Sequence, residues 1–132
     1  MENKILTLKK HATDIRIGAI EAVYNAKSGH PGGALSSADI LSCLYFSELN
    51  INPKKPKMAD RDRFVLSKGH SCPGLYAALA YRGYFPVADL KTFRHTDSIM
   101  QGHPDMKNIK GVDMSAGSLG QGFSCACGMA LA

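Results

Sequence analysis

The chain has 132 residues, 45% of them hydrophobic and 20% charged, and a formal net charge of +5. This length suits one domain, and the composition is that of an ordinary globular protein. No apolar run approaches the roughly 18 residues of a membrane-spanning helix, and the N-terminal segment has no secretory signal, so we expect a cytoplasmic protein outside the membrane.

Apolar periodicity predicts a first helix over residues 6–27. Its apolar stripe is formed by Leu6, Ile15, Ala19, Ala22 and Val23. The breakers in SGHPGG (28–33) predict a loop after this helix. Ser36 or Ser37 can cap a second helix, which the pattern predicts to end near Asn50.

The segment RFVLS (63–67) is rich in β-formers and predicts a short strand. Pro73 suits the start of a third helix, which Gly83 would close. A short helix over residues 87–93 leads into a long irregular stretch, and a helix of small residues is predicted from Leu119 onward.

These elements predict an α/β fold. Helices flank a strand whose carboxyl end delivers Gly69 and His70, and ligands bind at strand carboxyl ends in open sheets. Because only one strand is clear, the sequence predicts an incomplete open, mostly parallel sheet with flanking helices. We expect residues 1–132 to form a single partial domain.

The basic run PKKPK (53–57) is the densest group of positive charge. It could contact phosphate groups or nucleic acid, but a solvated loop between a helix and a strand is favoured. No aromatic residues interleave with the basic ones, which argues against a nucleic-acid module. A mild basic excess also suits an enzyme that handles phosphorylated ligands.

Four cysteines are present, and without an export signal we expect them to be reduced. They are Cys43, Cys72, Cys125 and Cys127. Cys125 and Cys127 lie two apart in a predicted helix, where such side chains point about 200° away from each other. This spacing argues against a shared metal ion.

Four glycine-rich motifs stand out: SGHPGG (28–33), LSKGHS (66–71), QGHPD (101–105) and GSLGQG (117–122). In the first three a histidine follows a glycine directly. Glycine lets the backbone come close to a ligand, and imidazole donates, accepts and titrates near neutral pH. The fourth motif lacks the G-x-G-x-x-G spacing of nicotinamide nucleotide sites.

The order of these motifs, with DLKTFR at 89–94, resembles the N-terminal diphosphate-binding part of transketolases. These thiamine-diphosphate enzymes move two-carbon ketol units between sugar phosphates. The resemblance runs from about Ile17 to the last residue. It implies the thiamine-diphosphate-binding fold, Mg²⁺ or Ca²⁺ as a second cofactor, and an oligomer completed by a pyrimidine-binding C-terminal half or subunit.

The same resemblance implies roles for individual residues. His30 and His103 would be catalytic, contacting substrate oxygens that gain charge and assisting proton transfer. His70 would bind the diphosphate of the cofactor at a helix start. The backbone of three further residues would line the rings of the cofactor: Gly117, Ser118 and Leu119. Many members have proline where this chain has Ser118.

Other marked residues have weaker claims. His95 and His11 lie outside the motifs, and we expect both to be structural or solvated. Arg94 in DLKTFR matches the family. Two interpretations stay open for it: a functional role, or a surface arginine that only braces its loop.

In the family, a Gly-Asp-Gly motif and a downstream Asn hold the metal. The sequence contains no Gly-Asp-Gly, so no metal ligand is assigned here, and we expect the ligands to lie beyond residue 132. The apolar end GMALA (128–132) is typical of the middle of a helix. We therefore expect a truncated enzyme or the start of the N-terminal subunit of a split one, inactive by itself.

Three alternatives stay open. One is another thiamine-diphosphate two-carbon transferase, similar to dihydroxyacetone synthase; similarity to deoxyxylulose-phosphate synthase is weaker. The second is a non-catalytic truncated remnant. The third is a basic nucleic-acid binder, for which steep salt dependence of binding would be diagnostic.

Overall fold

Helices and turns account for all the regular structure of residues 2–132, the part of the chain that the computed structural model describes. The four α-helices there are α1 (Glu2–Ala26), α2 (Pro31–Cys43), α3 (Cys72–Arg82) and α4 (Gln121–Leu131). A π-helical turn, Leu44–Glu48, extends α2, and 3₁₀ turns occupy Gly69–Ser71 and Val87–Thr92.

The predicted α/β fold is wrong for this part of the chain: no strand or sheet occurs in residues 2–132. Residues 63–67 form no ladder. The Phe64 amide donates to Asp113 Oδ2 (2.9 Å), and the Ser67 carbonyl accepts from the Gly120 amide (3.1 Å). A β-forming sequence becomes a strand only beside another strand that takes up its backbone hydrogen bonds. In residues 63–67 the Asp113 side chain and the Gly120 amide take up these backbone hydrogen bonds instead of a second strand.

Helix α1 packs through a narrow stripe of small and branched residues. Its buried members are Ala12, Ile15, Gly18, Ala19 and Ala22. Their spacing of three and four residues places them on one face of the helix. The predicted stripe is confirmed at Ile15, Ala19 and Ala22, but it is wrong for Leu6, whose exposed fraction is 59%. The helix also begins earlier than predicted, at Glu2.

Helix α3 lies at the centre and is buried over nearly its whole length. Two glycines let it approach its neighbours. A Cβ on Gly18 of α1 would lie 3.1 Å from Ala77 Cβ, and one on Gly74 would lie 3.2 Å from Ala34 of α2. A side chain at Gly18 or Gly74 would therefore require the neighbouring atoms to shift by a few tenths of an ångström in a closely packed contact. As predicted, Gly83 closes α3; it adopts φ +97° and its amide donates to the carbonyls of the last turn.

Two predicted boundaries shift. Helix α2 begins at Pro31 rather than at a serine cap, since proline is pre-organised for the first helical position. Ser37 instead lies inside the helix, where its hydroxyl donates to the Gly33 carbonyl (2.6 Å). The short helix predicted over 87–93 is a 3₁₀ turn, and α4 begins at Gln121, two residues after the predicted start.

Candidate functional site

The SGHPGG loop brings His30 to the start of α2. Gly29, the residue before it, adopts φ +137° and lies so close to α1 that a Cβ would be 3.0 Å from Val23 Cγ2. Only glycine takes this conformation without strain. His30 immediately precedes α2 and is exposed. The loop therefore presents an imidazole at a helix N-terminus.

The SKGHS segment forms a 3₁₀ turn that leads directly into α3. Gly69 is buried, and a Cβ on it would lie 2.2 Å from the carbonyl oxygen of Ala116 and 3.2 Å from His103 Cδ2. This glycine is thus required by a backbone contact. The missing Cβ lets Ala116, which precedes GSLGQG, and His103 of QGHPD pack against the same turn.

The histidines of the first three motifs converge. The rings of His30 and His70 meet edge to face, with their centroids 5.4 Å apart, and His103 lies against Gly69, the neighbour of His70. His30 and His103 are exposed, whereas His70 is half-buried. Three imidazoles therefore share one edge of the molecule, at the starts of α2 and α3, where free backbone N–H groups favour an anion.

The contacts that two residues at this junction make with α2 were not predicted from the sequence, although Ser71 was expected near the start of α3. The Nζ of Lys68 donates to the Gly33 carbonyl (2.7 Å), which ties the SKGHS turn to the first turn of α2. Ser71 Oγ lies 2.1 Å from where a Cβ on Gly33 would be, so it fills the space that glycine leaves open. Among residues 2–132 this buried hydroxyl has no hydrogen-bond partner. No local signal in the sequence could pair residues this far apart.

The GSLGQG segment is anchored beside the same turn. The Gly120 amide donates to the Ser67 carbonyl (3.1 Å), and the Phe123 amide donates to Ser67 Oγ (3.0 Å). A Cβ on Gly122 would lie 3.0 Å from Ser67 Cα, so α4 starts in close contact with the SKGHS segment. The predicted cofactor-binding residues before it are exposed: Gly117, Ser118 and Leu119.

A buried tyrosine holds the QGHPD loop. The Tyr76 hydroxyl lies 2.9 Å from the carbonyl oxygens of both Gln101 and His103. Cys72 Sγ is 3.6 Å from the Gln101 carbonyl. Burial raises the pKa of the Cys72 thiol to about 12 and raises the pKa of Tyr76 far above its ordinary value. Both groups therefore stay protonated near neutral pH and act as hydrogen-bond donors.

The remaining histidines lie elsewhere. His11 of α1 stacks on Phe46, with ring centroids 3.8 Å apart. His95 is exposed in the stretch that follows the 3₁₀ turn Val87–Thr92. The four cysteines are free thiols, and within residues 2–132 no three histidine, cysteine, aspartate or glutamate side chains lie together as a metal site would require.

This arrangement fits a diphosphate-bearing cofactor. Two helix starts, the backbone cradle at Gly69 and the partner-free hydroxyl of Ser71 adjoin a half-buried imidazole, that of His70. Residues 7–132 also match the family described as transketolase, thiamine diphosphate binding domain. The chain belongs to the transketolase family. The transketolase resemblance drawn from the motifs is thereby confirmed, and thiamine diphosphate is the cofactor of the matched domain.

Individual relatives agree. The chain is 46% identical over all of its 132 residues to the 6-deoxy-6-sulfo-D-fructose transketolase subunit SqwG of Clostridium sp. (strain MSTE9), of which it covers 48%. It is 46% identical over 125 residues to transketolase 1 of Escherichia coli (strain K12), covering 19% of that protein. The chain thus spans about half the length of one relative and about a fifth of the other.

Solved transketolases have the same fold over this region. The transketolase from Leishmania mexicana superposes with a TM-score of 0.90 at 40% identity over 94% of this chain and 19% of its own. The transketolase from Campylobacter jejuni superposes with a TM-score of 0.87 at 40% identity, over 95% of this chain and 20% of its own.

No helix in residues 2–132 is long and apolar enough to cross a membrane.

Proposed function

We propose that this chain is part of a transketolase-like enzyme that transfers two-carbon ketol units between sugar phosphates with thiamine diphosphate. The observation that carries the proposal is the convergence of His30, His70 and His103 at the starts of α2 and α3. Family membership supports the reaction class. In this proposal residues 1–132 are the N-terminal part of the thiamine-diphosphate-binding domain.

The proposed catalytic residues are His30 and His103. Both are exposed at the site and so accessible to a substrate. Ketol transfer moves negative charge onto substrate oxygens, and imidazoles beside those oxygens stabilise that charge by hydrogen bonding and move protons. Gly29 and Tyr76 position these two histidines through the backbone of their loops.

His70 and the backbone of Gly117, Ser118 and Leu119 are the proposed cofactor-binding residues. Thiamine diphosphate, when bound, supplies the chemistry that makes and breaks the carbon–carbon bond. His70 lies in the turn that starts α3, where N–H groups and the helix dipole favour a diphosphate. A divalent ion, Mg²⁺ or Ca²⁺, belongs to the proposal, with ligands from outside residues 1–132.

The proposal includes a partner segment or subunit that carries the pyrimidine-binding half. Large apolar side chains on and before α4 support it: the exposed fraction is 72% for Leu119 and 70% for Phe123. Exposed apolar groups clustered on one helix mark a surface that another part of a protein covers. The proposed location is the cytoplasm.

The donor sugar has two candidates. Sugar phosphates, as in the pentose phosphate pathway, are the first. The second is a 6-deoxy-6-sulfo sugar, because the relative that this chain matches over its whole length carries 6-deoxy-6-sulfo-D-fructose in its name. That relative is called a subunit, which also supports a split enzyme. A two-carbon transferase similar to dihydroxyacetone synthase, which would differ in its acceptor, is the alternative within the same chemistry.

The test is a ketol-transfer assay on the holoenzyme. In it, the chain is combined with the further polypeptide that its longer relatives contain. With thiamine diphosphate and Mg²⁺ present, we expect turnover of a ketose phosphate or a sulfo-ketose with an aldose phosphate acceptor. Comparing kcat/KM for the two donors decides between the candidates. Absence of transfer from either donor by a folded, cofactor-loaded protein would contradict the proposed activity and favour the non-catalytic remnant.

A further inference from the structure

Arg94 lies between the loops of the two proposed catalytic histidines. Its Nη1 donates to the hydroxyl of Ser28, 3.0 Å away and two residues before His30. On its other side, the guanidinium packs over Gly102, the residue before His103. A Cβ on Gly102 would be 3.0 Å from Arg94 Nε and 3.2 Å from Cζ. One side chain therefore contacts both loops.

The backbone of Arg94 adopts a left-handed conformation, with φ +59°. Among residues 2–132 only one other non-glycine residue, Lys27, has a positive φ. The strain costs about 1–2 kcal/mol for an ordinary residue and nothing for glycine. The Arg94 amide donates to the Met100 carbonyl (2.8 Å), which folds the chain back toward QGHPD. Since glycine would suit this backbone better, the contacts of the side chain explain an arginine here.

The chemistry of the side chain matches its place. Guanidinium is planar, carries five N–H donors in a rigid fork and stays charged at all relevant pH values. One of its N–H groups donates to Ser28, while Nε, Cζ and Nη2 all lie within 3.0–3.2 Å of where a Cβ on Gly102 would be. An ammonium group offers a point charge on a flexible stem and has no flat face.

We propose that Arg94 is a positioning residue that holds the His30 and His103 loops in one fixed relative arrangement. Its catalytic meaning rests on the proposed function, because the residues it positions are the proposed catalytic histidines. It acts through its contacts with Ser28 and Gly102. A fixed distance between the two imidazoles keeps both aligned with one substrate, and small displacements of such groups reduce turnover strongly.

The decisive variant is Arg94→Gly in the holoenzyme. Glycine accepts the left-handed backbone without strain, so the variant removes the bracing side chain while the fold and its melting temperature are retained. We expect kcat to fall by about 10-fold to 100-fold, with the half-saturating concentration of thiamine diphosphate changed by less than about two-fold. Arg94→Lys should not restore kcat, and added guanidinium ion should partly restore it. Lys91→Ala, at an exposed cation in the 3₁₀ turn that precedes Arg94, is the matched control.

A double-variant comparison shows whether Arg94 acts through His103. In a His103→Ala background, Arg94→Gly should lower kcat clearly less than in the wild type, because coupled residues are non-additive. An equal fold-loss in both backgrounds means that Arg94 acts independently of His103, which overturns the proposal.

A spectroscopic readout separates this proposal from the proposed function. Imidazole NMR signals of His30 and His103 should shift in Arg94→Gly relative to wild type, while those of His11, stacked on Phe46, should not. This measurement does not need turnover: a wild-type holoenzyme without ketol transfer contradicts the proposed function, and the NMR shifts still decide the role of Arg94. Unchanged His30 and His103 signals overturn it, as does a kcat within two-fold of wild type in an active enzyme.

Discussion

The imidazole rings of His30 and His70 meet edge to face at 70°, with their centroids 5.4 Å apart. His30 immediately precedes α2, and His70 lies in the turn that precedes α3. Packing of α2 against α3, close enough that a Cβ on Gly74 would lie 3.2 Å from Ala34, therefore brings two GH motifs together. Because the neighbouring rings of His30 and His70 have different proposed roles, substituting each residue separately tests those roles.

Replacing either His30 or His103 by alanine should reduce turnover with little effect on cofactor affinity. Each would remove one hydrogen-bond partner of a substrate oxygen that gains charge, a loss of about 10² to 10³ in kcat. Steady-state ketol-transfer assays at saturating thiamine diphosphate measure this. His95→Ala is the matched control, since His95 is exposed outside the motifs. Near-normal turnover in both variants would falsify the catalytic assignment.

His70→Ala should act on cofactor binding instead. Losing the imidazole at the start of α3 removes a diphosphate contact, so the half-saturating thiamine-diphosphate concentration should rise by about 10-fold, the effect of one lost charge-assisted hydrogen bond of about 1.5 kcal/mol. Activity should recover at high cofactor. A titration of turnover against cofactor decides the matter: an unchanged midpoint with a low plateau would place His70 among the catalytic residues.

Gly69→Ala should destabilise the protein and disturb the cofactor site together. The new Cβ would lie 2.2 Å from the Ala116 carbonyl oxygen, and backbone cannot yield as a flexible side chain does. Overpacking of this kind costs about 1–3 kcal/mol, and displacement of residue 116 moves the adjoining Gly117. Thermal unfolding and a cofactor titration should both respond. Gly128→Ala, with no atom within 4 Å of its Cβ, is the control and should keep or raise the melting temperature.

Tyr76→Phe keeps the packing of a fully buried ring and removes only its hydroxyl. The His103 carbonyl then loses its hydroxyl donor and the Gln101 carbonyl keeps only the Cys72 thiol, which should lower the free energy of unfolding by about 1–3 kcal/mol. Denaturant unfolding measures the loss, and Tyr24→Phe, at an exposed position on α1, should leave stability unchanged. Equal stability of Tyr76→Phe and wild type would mean that this hydroxyl does not hold the QGHPD loop.

Local sequence signals predicted the helices well where capping and periodicity were strong. Helix α3 matches its prediction because a proline near its start and Gly83 after its end act within a few residues. The start of α2 was missed because serine capping and proline at the first position compete, and proline at residue 31 prevails. The predicted strand at 63–67 failed for a different reason, since strand formation depends on a partner that local sequence does not specify.

The candidate site divides in the same way. The motifs name His30, His70 and His103 because glycine-histidine pairs stand out within a few residues of chain. They do not reveal the contacts of Lys68 and Ser71, although both lie in LSKGHS, or those of Tyr76, because the partners lie 25 to 38 residues away in sequence. Such contacts depend on how α2 and α3 pack, so no window of sequence contains both members of the pair.

Sequence alone determined the family and the order of the motifs. Each motif consists of contiguous residues, so it can be recognised without knowing any distance in the structure. Only the tertiary structure decided that an exposed arginine, Arg94, touches both Ser28 and Gly102, and that Leu6 faces solvent while the small residues of α1 pack inward. Burial and neighbourhood follow from the packing of helices against one another, and that packing sums many weak contacts between residues far apart in the chain.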